Sequence, residues 1–433
     1  MVHKKKFIFV ADYDIVIGNL CEKILYALFK AERQNKQILF VRKRIPFSSI
    51  FKRKFRYVQR GAVYRLAGVF LGKPPFWIDE VIGCYYGVMF FIGFAGRAIL
   101  CKLKILRELN LQFIGCGCKD LFNVNVLKYF DSASVSNIDW KYFLEKKQKL
   151  YFCDEDQLYC EKTMEHLGIH RNKPYVCLHI RTQHYYNDSS YSSYRNSNIE
   201  NYIEGLKCLK AAGFQVIRLG DSVDLGYHQY YIDYPNTVYK SELMDLFLIK
   251  NCKFYLGTNS GILDAAFLLG VPVLAVNVTD YLFVQPYKTS DIYIYKHVFS
   301  NEQKRFLTYN EIFKQEIGIN GAFDSHQIHQ FNQRYTLHDN SSKEIQEAIK
   351  EMCENLENMQ KETDAQVIFK KKLIQAVLRW ISNETYHTKH LENAYRALTK
   401  TYFNGRIGRH FAEKYLYGTV DLPYEKEKGY ETE

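Results

Sequence analysis

A chain of 433 residues is long enough for two ordinary cores, because domains run to about 100–200 residues, and with 47% hydrophobic and 16% aromatic residues it lies far from the composition of disordered chains. The net charge of +12 is carried by one stretch: twelve Lys or Arg and no Asp or Glu stand between Arg33 and Ile78, so the remainder sums to zero. The eleven cysteines lack the paired spacing of a zinc site or a disulfide framework; Cys116 and Cys118 come nearest, and no second pair answers them. Reduced thiols in a cytoplasm are the expectation.

The chain opens on His3-Lys4-Lys5-Lys6 and an apolar run, residues 5–11, that stops at Asp12, too early for a signal peptide. The run reads as a strand. A turn follows, then Ile24, Leu25, Leu28 and Phe29 at helical spacing, and a second strand candidate at Ile38–Val41. This is the start of an alternating strand and helix domain. Eight of the positive charges fall between Arg42 and Arg60, interleaved with Ile45, Phe47, Ile50, Phe51, Phe55 and Tyr57. That mixture suits an anionic bilayer surface, with a solvated basic face as the plainer reading. Nucleic acid is not indicated, because no recognition motif accompanies the charge. Val81–Leu100 is apolar and about long enough to span a bilayer, yet its four glycines and Arg97 favour a buried or interfacial segment.

Past Pro174 the pattern sharpens. Tyr175–Ile180 reads as a buried strand, followed by a polar loop over Arg181–Asn198 rich in Tyr, Ser and Asn. Ser197 and Glu200 have capping-box spacing before a helix whose apolar face is Ile199, Tyr202, Ile203, Leu206 and Leu209, with Gly213 as its stop. Strand Phe214–Leu219, helix Ser241–Asn251, strand Lys253–Leu256, helix Ser260–Leu269 and strand Val271–Val278 continue an alternation expected of a parallel sheet with crossover helices. After about residue 340 the chain turns helical: Ser341 and Glu344 form a second capping-box pattern, Ile345, Ala348, Ile349, Met352, Leu356 and Met359 share a face, and Val367–Ile381 follows.

Two constellations carry chemistry. Gly257-Thr258-Asn259-Ser260-Gly261 joins a strand end to a helix start, where small residues allow a close turn and free N–H groups point outward, an arrangement that binds phosphate. Asp264 stands in the first turn. His179-Ile180-Arg181 ends another strand, with Tyr194-Arg195-Asn196 in the loop beyond and Arg218-Leu219-Gly220 on the next strand. Arginine's planar fork binds diphosphate oxygens bidentately and stays charged, so such residues can neutralise a leaving nucleoside diphosphate without a metal. Each arginine has the alternative of pairing with a nearby carboxylate, and His179, within a strand, has that of a core histidine. At the N-terminus Asp12-Tyr13-Asp14 precedes Gly18-Asn19. Asp12, Asp14 and Glu22 are candidates for the base that takes a proton from an attacking hydroxyl, against turn and helix-cap roles.

With these segments in view, residues from about Tyr175 to Met352 resemble a family of bacterial glycosyltransferases found in surface-polysaccharide loci. The resemblance rests on Leu178–Arg181, Tyr194–Asn196, Val216–Gly220, Leu256–Gly261, Pro272–Asn277, Arg305–Thr308 and Glu347–Met352. His-x-Arg after a strand is also similar to the donor-diphosphate motif of fucosyltransferases, and the Thr-Asn-Ser-Gly helix with Gly270-Val271-Pro272-Val273 is similar to the nucleotide-sugar site of heptosyltransferases. Fucosyltransferases commonly place a second basic residue after that arginine, where this chain has Thr182.

The resemblance implies an α/β fold of two Rossmann-like domains, the GT-B arrangement. An acceptor domain over 1–165, a nucleotide-sugar domain over 166–340 and a helical extension over 341–433 follow from it. It further implies inverting sugar transfer with no metal and no cofactor beyond the nucleotide-sugar co-substrate. The acceptor would be a glycan or lipid-linked glycan, and the location the cytoplasmic face of the inner membrane. Donor-binding residues are then His179, Arg181, Arg195, Asn196, Arg218, Gly220, Thr258, Asn259, Ser260, Gly261 and Asp264; acceptor-side residues are Gly18 and Asn19; and Asp14, Asp12 and Arg181 are catalytic. A catalytically inactive glycan- or nucleotide-binding scaffold at the membrane is the alternative. A nicotinamide-dependent oxidoreductase is disfavoured, because no Gly-x-Gly-x-x-Gly follows the first strand.

Overall fold

The apolar runs picked out above form strands and the amphipathic ones form helices in a computed structural model. It describes 7–11, 37–41 and 67–68, single positions 17, 18, 21, 25, 28, 32 and 145, and segments 150–182, 193–281, 288–319, 325–383 and 404–418. In chain order these give β1 (Phe7–Ala11), β2 (Gln37–Val41), β3 (Ala67–Gly68), β4 (Leu150–Tyr151), α1 (Asp154–His166), β5 (Tyr175–His179), α2 (Ile203–Ala211), β6 (Gln215–Leu219), α3 (Glu242–Asn251), β7 (Phe254–Gly257), α4 (Gly261–Leu268), β8 (Val273–Val278), β9 (Ile292–Tyr295) and β10 (His297–Ser300). The chain continues through β11 (Arg305–Phe306), α5 (Tyr309–Gln315), α6 (Ser325–Arg334), β12 (Tyr335–His338), α7 (Ser342–Glu357), α8 (Asp364–Asn383), β13 (Arg406–Ile407) and α9 (Arg409–Tyr415).

The protein is α/β. Its main sheet has six strands in the order β13-β9-β8-β7-β5-β6, every neighbouring pair parallel. The central strands are buried residue after residue, as expected when helices cover both faces. A second, three-stranded antiparallel sheet, β11-β10-β12, stands beside it. In the N-terminal part β1 and β2 pair in parallel, with Phe7 opposite Gln37 and Ala11 opposite Val41. Ile17, Gly18, Cys21, Leu25, Leu28 and Glu32 between them are helical, and Cys21, Leu25 and Leu28 are buried.

Two readings need correction. Ser197 does not cap a helix with Glu200: the chain enters α2 through a 3₁₀ turn at Ile199–Tyr202 whose cap is Asn198, accepting from the Glu200 N–H, while Ser197 faces Asp339 and Asn277 instead. The C-terminal stretch is not helical alone, for Arg406–Ile407 adds the sixth strand beside β9. The Ser341 capping box does form, and Ile345, Ala348, Ile349 and Met352 are buried, whereas Met359 lies past the end of α7 and is 46% exposed.

Asp12, Asp14, Asn19 and Glu22, nearly all of the basic stretch, the apolar run 81–100 and Cys116 and Cys118 lie outside the described residues. Among the described residues no helix is long and apolar enough to cross a membrane, and Cys21, Cys153, Cys160, Cys177, Cys208, Cys252 and Cys353 form no disulfide.

Candidate functional site

From β5 the chain crosses by α2 to β6 on one side and returns by α3 to β7 on the other. Such a reversal opens a crevice at the carboxyl ends of the two strands that flank it, here β5 and β7, the place where open α/β sheets hold ligands. His179–Arg181 and Gly257–Gly261 both lie there, and His179 is the register partner of Gly257. A β-carbon at Gly257 would collide with the His179 carbonyl oxygen, so the strand ends approach this closely only because glycine is present.

The two loops are stitched together. The Thr258 N–H donates to the His179 carbonyl at 3.3 Å, and the Arg181 N–H donates to Thr258 Oγ1 at 3.3 Å. Ser260 precedes α4 in the cap position but makes no side-chain cap; its hydroxyl meets His179 Nδ1 at 3.2 Å. The His179 ring also lies against Gly220, whose φ of 107° and missing β-carbon admit it. Burial, then the charges of Lys240, Arg181 and Arg218, push His179 down to about 3, so the ring is neutral at physiological pH. Those three cations stand close enough to the ring to disfavour its charged form. Lys240 escaped the sequence reading; it sits just before the Ser241 cap of α3 and pairs with Asp245 at 2.5 Å and 2.6 Å.

Arg181 is 5% exposed, and its Nη1 donates to Asn196 Oδ1, which joins the two arginine-bearing loops. Arg195 leans over the Tyr194 ring at 5.8 Å, and its Nε is buried without a hydrogen-bond partner. Asn259 is 4% exposed; its Nδ2 donates to Thr279 Oγ1 at 3.3 Å, and its Oδ1 is buried and unpartnered. Eight buried side-chain nitrogen or oxygen atoms lack a partner among the described residues, and these two lie on the loops that Arg181 joins. Arg218, grouped with the other arginines on sequence, is placed differently. Its Nε donates to Asp233 Oδ1 at 2.5 Å, and Nη1 and Nη2 donate to the Asp221 and Val223 carbonyls at 2.9 Å each, so it stiffens the loop after β6.

Asp264, in the first turn of α4, faces Gly18 of the N-terminal helix: a β-carbon on Gly18 would collide with Asp264 Oδ2 and lie 2.9 Å from Gly261 Cα. One acceptor-side candidate and two donor-side candidates therefore touch. Burial raises the Asp264 carboxyl to about 7. Among the described residues no group of three His, Cys, Asp or Glu side chains is placed to hold a metal ion.

No family model matches the chain, and no curated protein matches its sequence. Among solved structures it is similar to a glycosyl transferase family 9 protein of Veillonella parvula, at 12% identity, TM-score 0.40, over 81% of this chain and 98% of that one. It is also similar to an Escherichia coli ADP-heptose LPS heptosyltransferase II, at 13% identity, TM-score 0.34, over 62% and 84%. A third is the iron-containing dodecameric glycosyltransferase TibC of enterotoxigenic E. coli, at 13% identity, TM-score 0.28, over 65% and 60%.

Proposed function

We propose that the chain is a glycosyltransferase that binds a nucleoside-diphosphate sugar in the β5/β7 crevice and passes the sugar, without a metal, to a hydroxyl of a glycan or lipid-linked glycan acceptor. The observation that carries this reading is the junction of Arg181 with Thr258 before α4 and with Asn196, the neighbour of Arg195, while Arg195 Nε and Asn259 Oδ1 are buried and unpaired. In the reaction the acceptor oxygen forms a bond to the anomeric carbon as the carbon–oxygen bond to the diphosphate breaks. Asp12 or Asp14 takes the acceptor proton, the leaving diphosphate takes both electrons of the broken bond, and Arg181, Arg195 and the amides of α4 stabilise its charge. Attack opposite the leaving group inverts the anomeric centre. The basic stretch between Arg33 and Ile78 fits a cytoplasmic enzyme resting on an anionic membrane surface that carries its acceptor.

The test is a thermal-shift panel with UDP, GDP, CMP, dTDP and ADP, each with and without EDTA. A ligand selective for the native state raises Tm. A shift with one nucleotide that EDTA leaves unchanged is expected and identifies the donor class. No shift with any of them would remove the reading in favour of a binding scaffold for another ligand.

A further inference from the structure

Directly behind the arginine loop lies a polar network that the donor reading does not use. Lys296, the residue after β9, is 5% exposed; its Nζ donates to the Asn196 carbonyl at 2.6 Å and stands 2.6 Å from Asp339 Oδ1. Asp339 Oδ2 accepts from the Ser197 hydroxyl and from the Asn198 N–H, both at 3.1 Å. Ser197 Oγ in turn accepts from Asn277 Nδ2 at 2.7 Å. Asn277 ends in a left-handed conformation, φ 55°, that a side-chain-bearing residue rarely adopts. It is held there by a reciprocal pair with Asn340: each backbone N–H donates to the other's side-chain oxygen.

We infer that this network positions the Tyr194–Asn196 loop for the donor diphosphate, with Asp339, Ser197, Lys296 and Asn277 as positioning residues; the inference rests on the donor reading above. The anchoring is selective. Asn196, Ser197 and Asn198 are each fixed through backbone or side chain, and the Ser197 N–H returns to the Arg181 carbonyl at 3.1 Å. Arg195, one residue upstream, takes no bond from the network and keeps an unpaired Nε. Lys296 is buried and Asp339 only partly so, and an ion pair taken out of water gains little over apolar packing, so stability alone does not account for it. Holding a guanidinium and its neighbour in one orientation does, because a misplacement of about 1 Å can cost about a hundredfold in a preorganised site.

The experiment measures Kd, by calorimetry, for whichever of the five nucleotides shifts the wild-type protein, on wild type, Asp339→Asn, Ser197→Ala and Ser197→Thr. Amide exchange over 194–198 is followed in parallel. Expected are a roughly tenfold weaker Kd and faster exchange in Asp339→Asn and Ser197→Ala, with Ser197→Thr near wild type. Ser197→Ala decides the matter if Asp339→Asn fails to fold. Unchanged Kd in Ser197→Ala, even with a lowered Tm, would overturn the positioning role while leaving the donor reading in place. A wild type that binds none of the nucleotides would overturn the donor reading itself.

Discussion

Strand β9 has a lysine–aspartate pair at each end, the first buried and the second with its aspartate partly exposed, and the two are built differently. Before it, Lys288 and Asp291 lie 3.2 Å apart; Asp291 also accepts the Val273 and Lys288 N–H groups at 3.0 Å, and Lys288 Nζ donates to the Val271 carbonyl. Those contacts end on β8, the strand beside β9, on Val271 just before it, or on the pair's own turn. After it, Lys296 and Asp339 reach out of the sheet to Asn196, Ser197 and Asn198. The same ion chemistry thus locks the sheet where its strands begin and aims a loop where they end, in keeping with ligands gathering at the carboxyl edge.

The largest effect that sharpens this contrast is expected from Asp291→Ala. Burial raises the Asp291 carboxyl and the Lys288 charge works against that, so removing it strands a buried ammonium and should cost about 3–5 kcal/mol in urea unfolding, with nucleotide affinity unchanged in the folded protein. Lost affinity in that variant would erase the distinction between the two ends. Arg181→Ala should do the converse: nucleotide binding weakened about a hundredfold, some 2–3 kcal/mol, and sugar transfer lost, read by calorimetry and a product assay.

A third variant acts one residue past Lys296. His297 Nε2 meets Glu344 Oε1 at 3.0 Å with both side chains buried. Burial works to raise the Glu344 carboxyl, but the hydrogen bond and field of His297 outweigh it and hold it at about 2, below the ordinary 4.5. A depressed carboxyl stabilises the fold above its unfolded value, and that stability is lost as pH falls from about 4.5 towards 2. Glu344→Gln should lose about 2 kcal/mol at neutral pH and show a flatter Tm across that acid window. The smallest effect belongs to Asp264. Its proton leaves as pH rises through about 7, placing a negative charge in the first turn of α4, so diphosphate affinity should fall about fivefold from pH 6 to 8 and become level in Asp264→Asn.

The carboxyl edge of the main sheet was legible wherever the signal is local. Apolar runs and turn residues located β5 to β8 within two residues, and Ser341 with Glu344 announced α7 because a capping box is read off neighbours three positions apart. The two loops of the crevice were visible for the same reason. What the sequence hid depends on distant partners. Arg218 looks like Arg181 in the chain, and only the fold brings Asp233 to it. Ser197 matches a capping box, yet Asp339, 142 residues away, claims its hydroxyl. Lys240 and Lys296 carry no motif, and β13 is two residues long.

That short strand sets an order of events. β9 ends at Tyr295 and its outer neighbour begins at Arg406, while the bond from the Gln366 side chain to the Ile407 carbonyl ties this edge to α8. During synthesis at about 5–20 residues per second, the flank of the sheet stays open for several seconds after β9 has emerged from the ribosome. The half built on the main sheet therefore matures last, long after the amino-terminal strands have had the chance to pair.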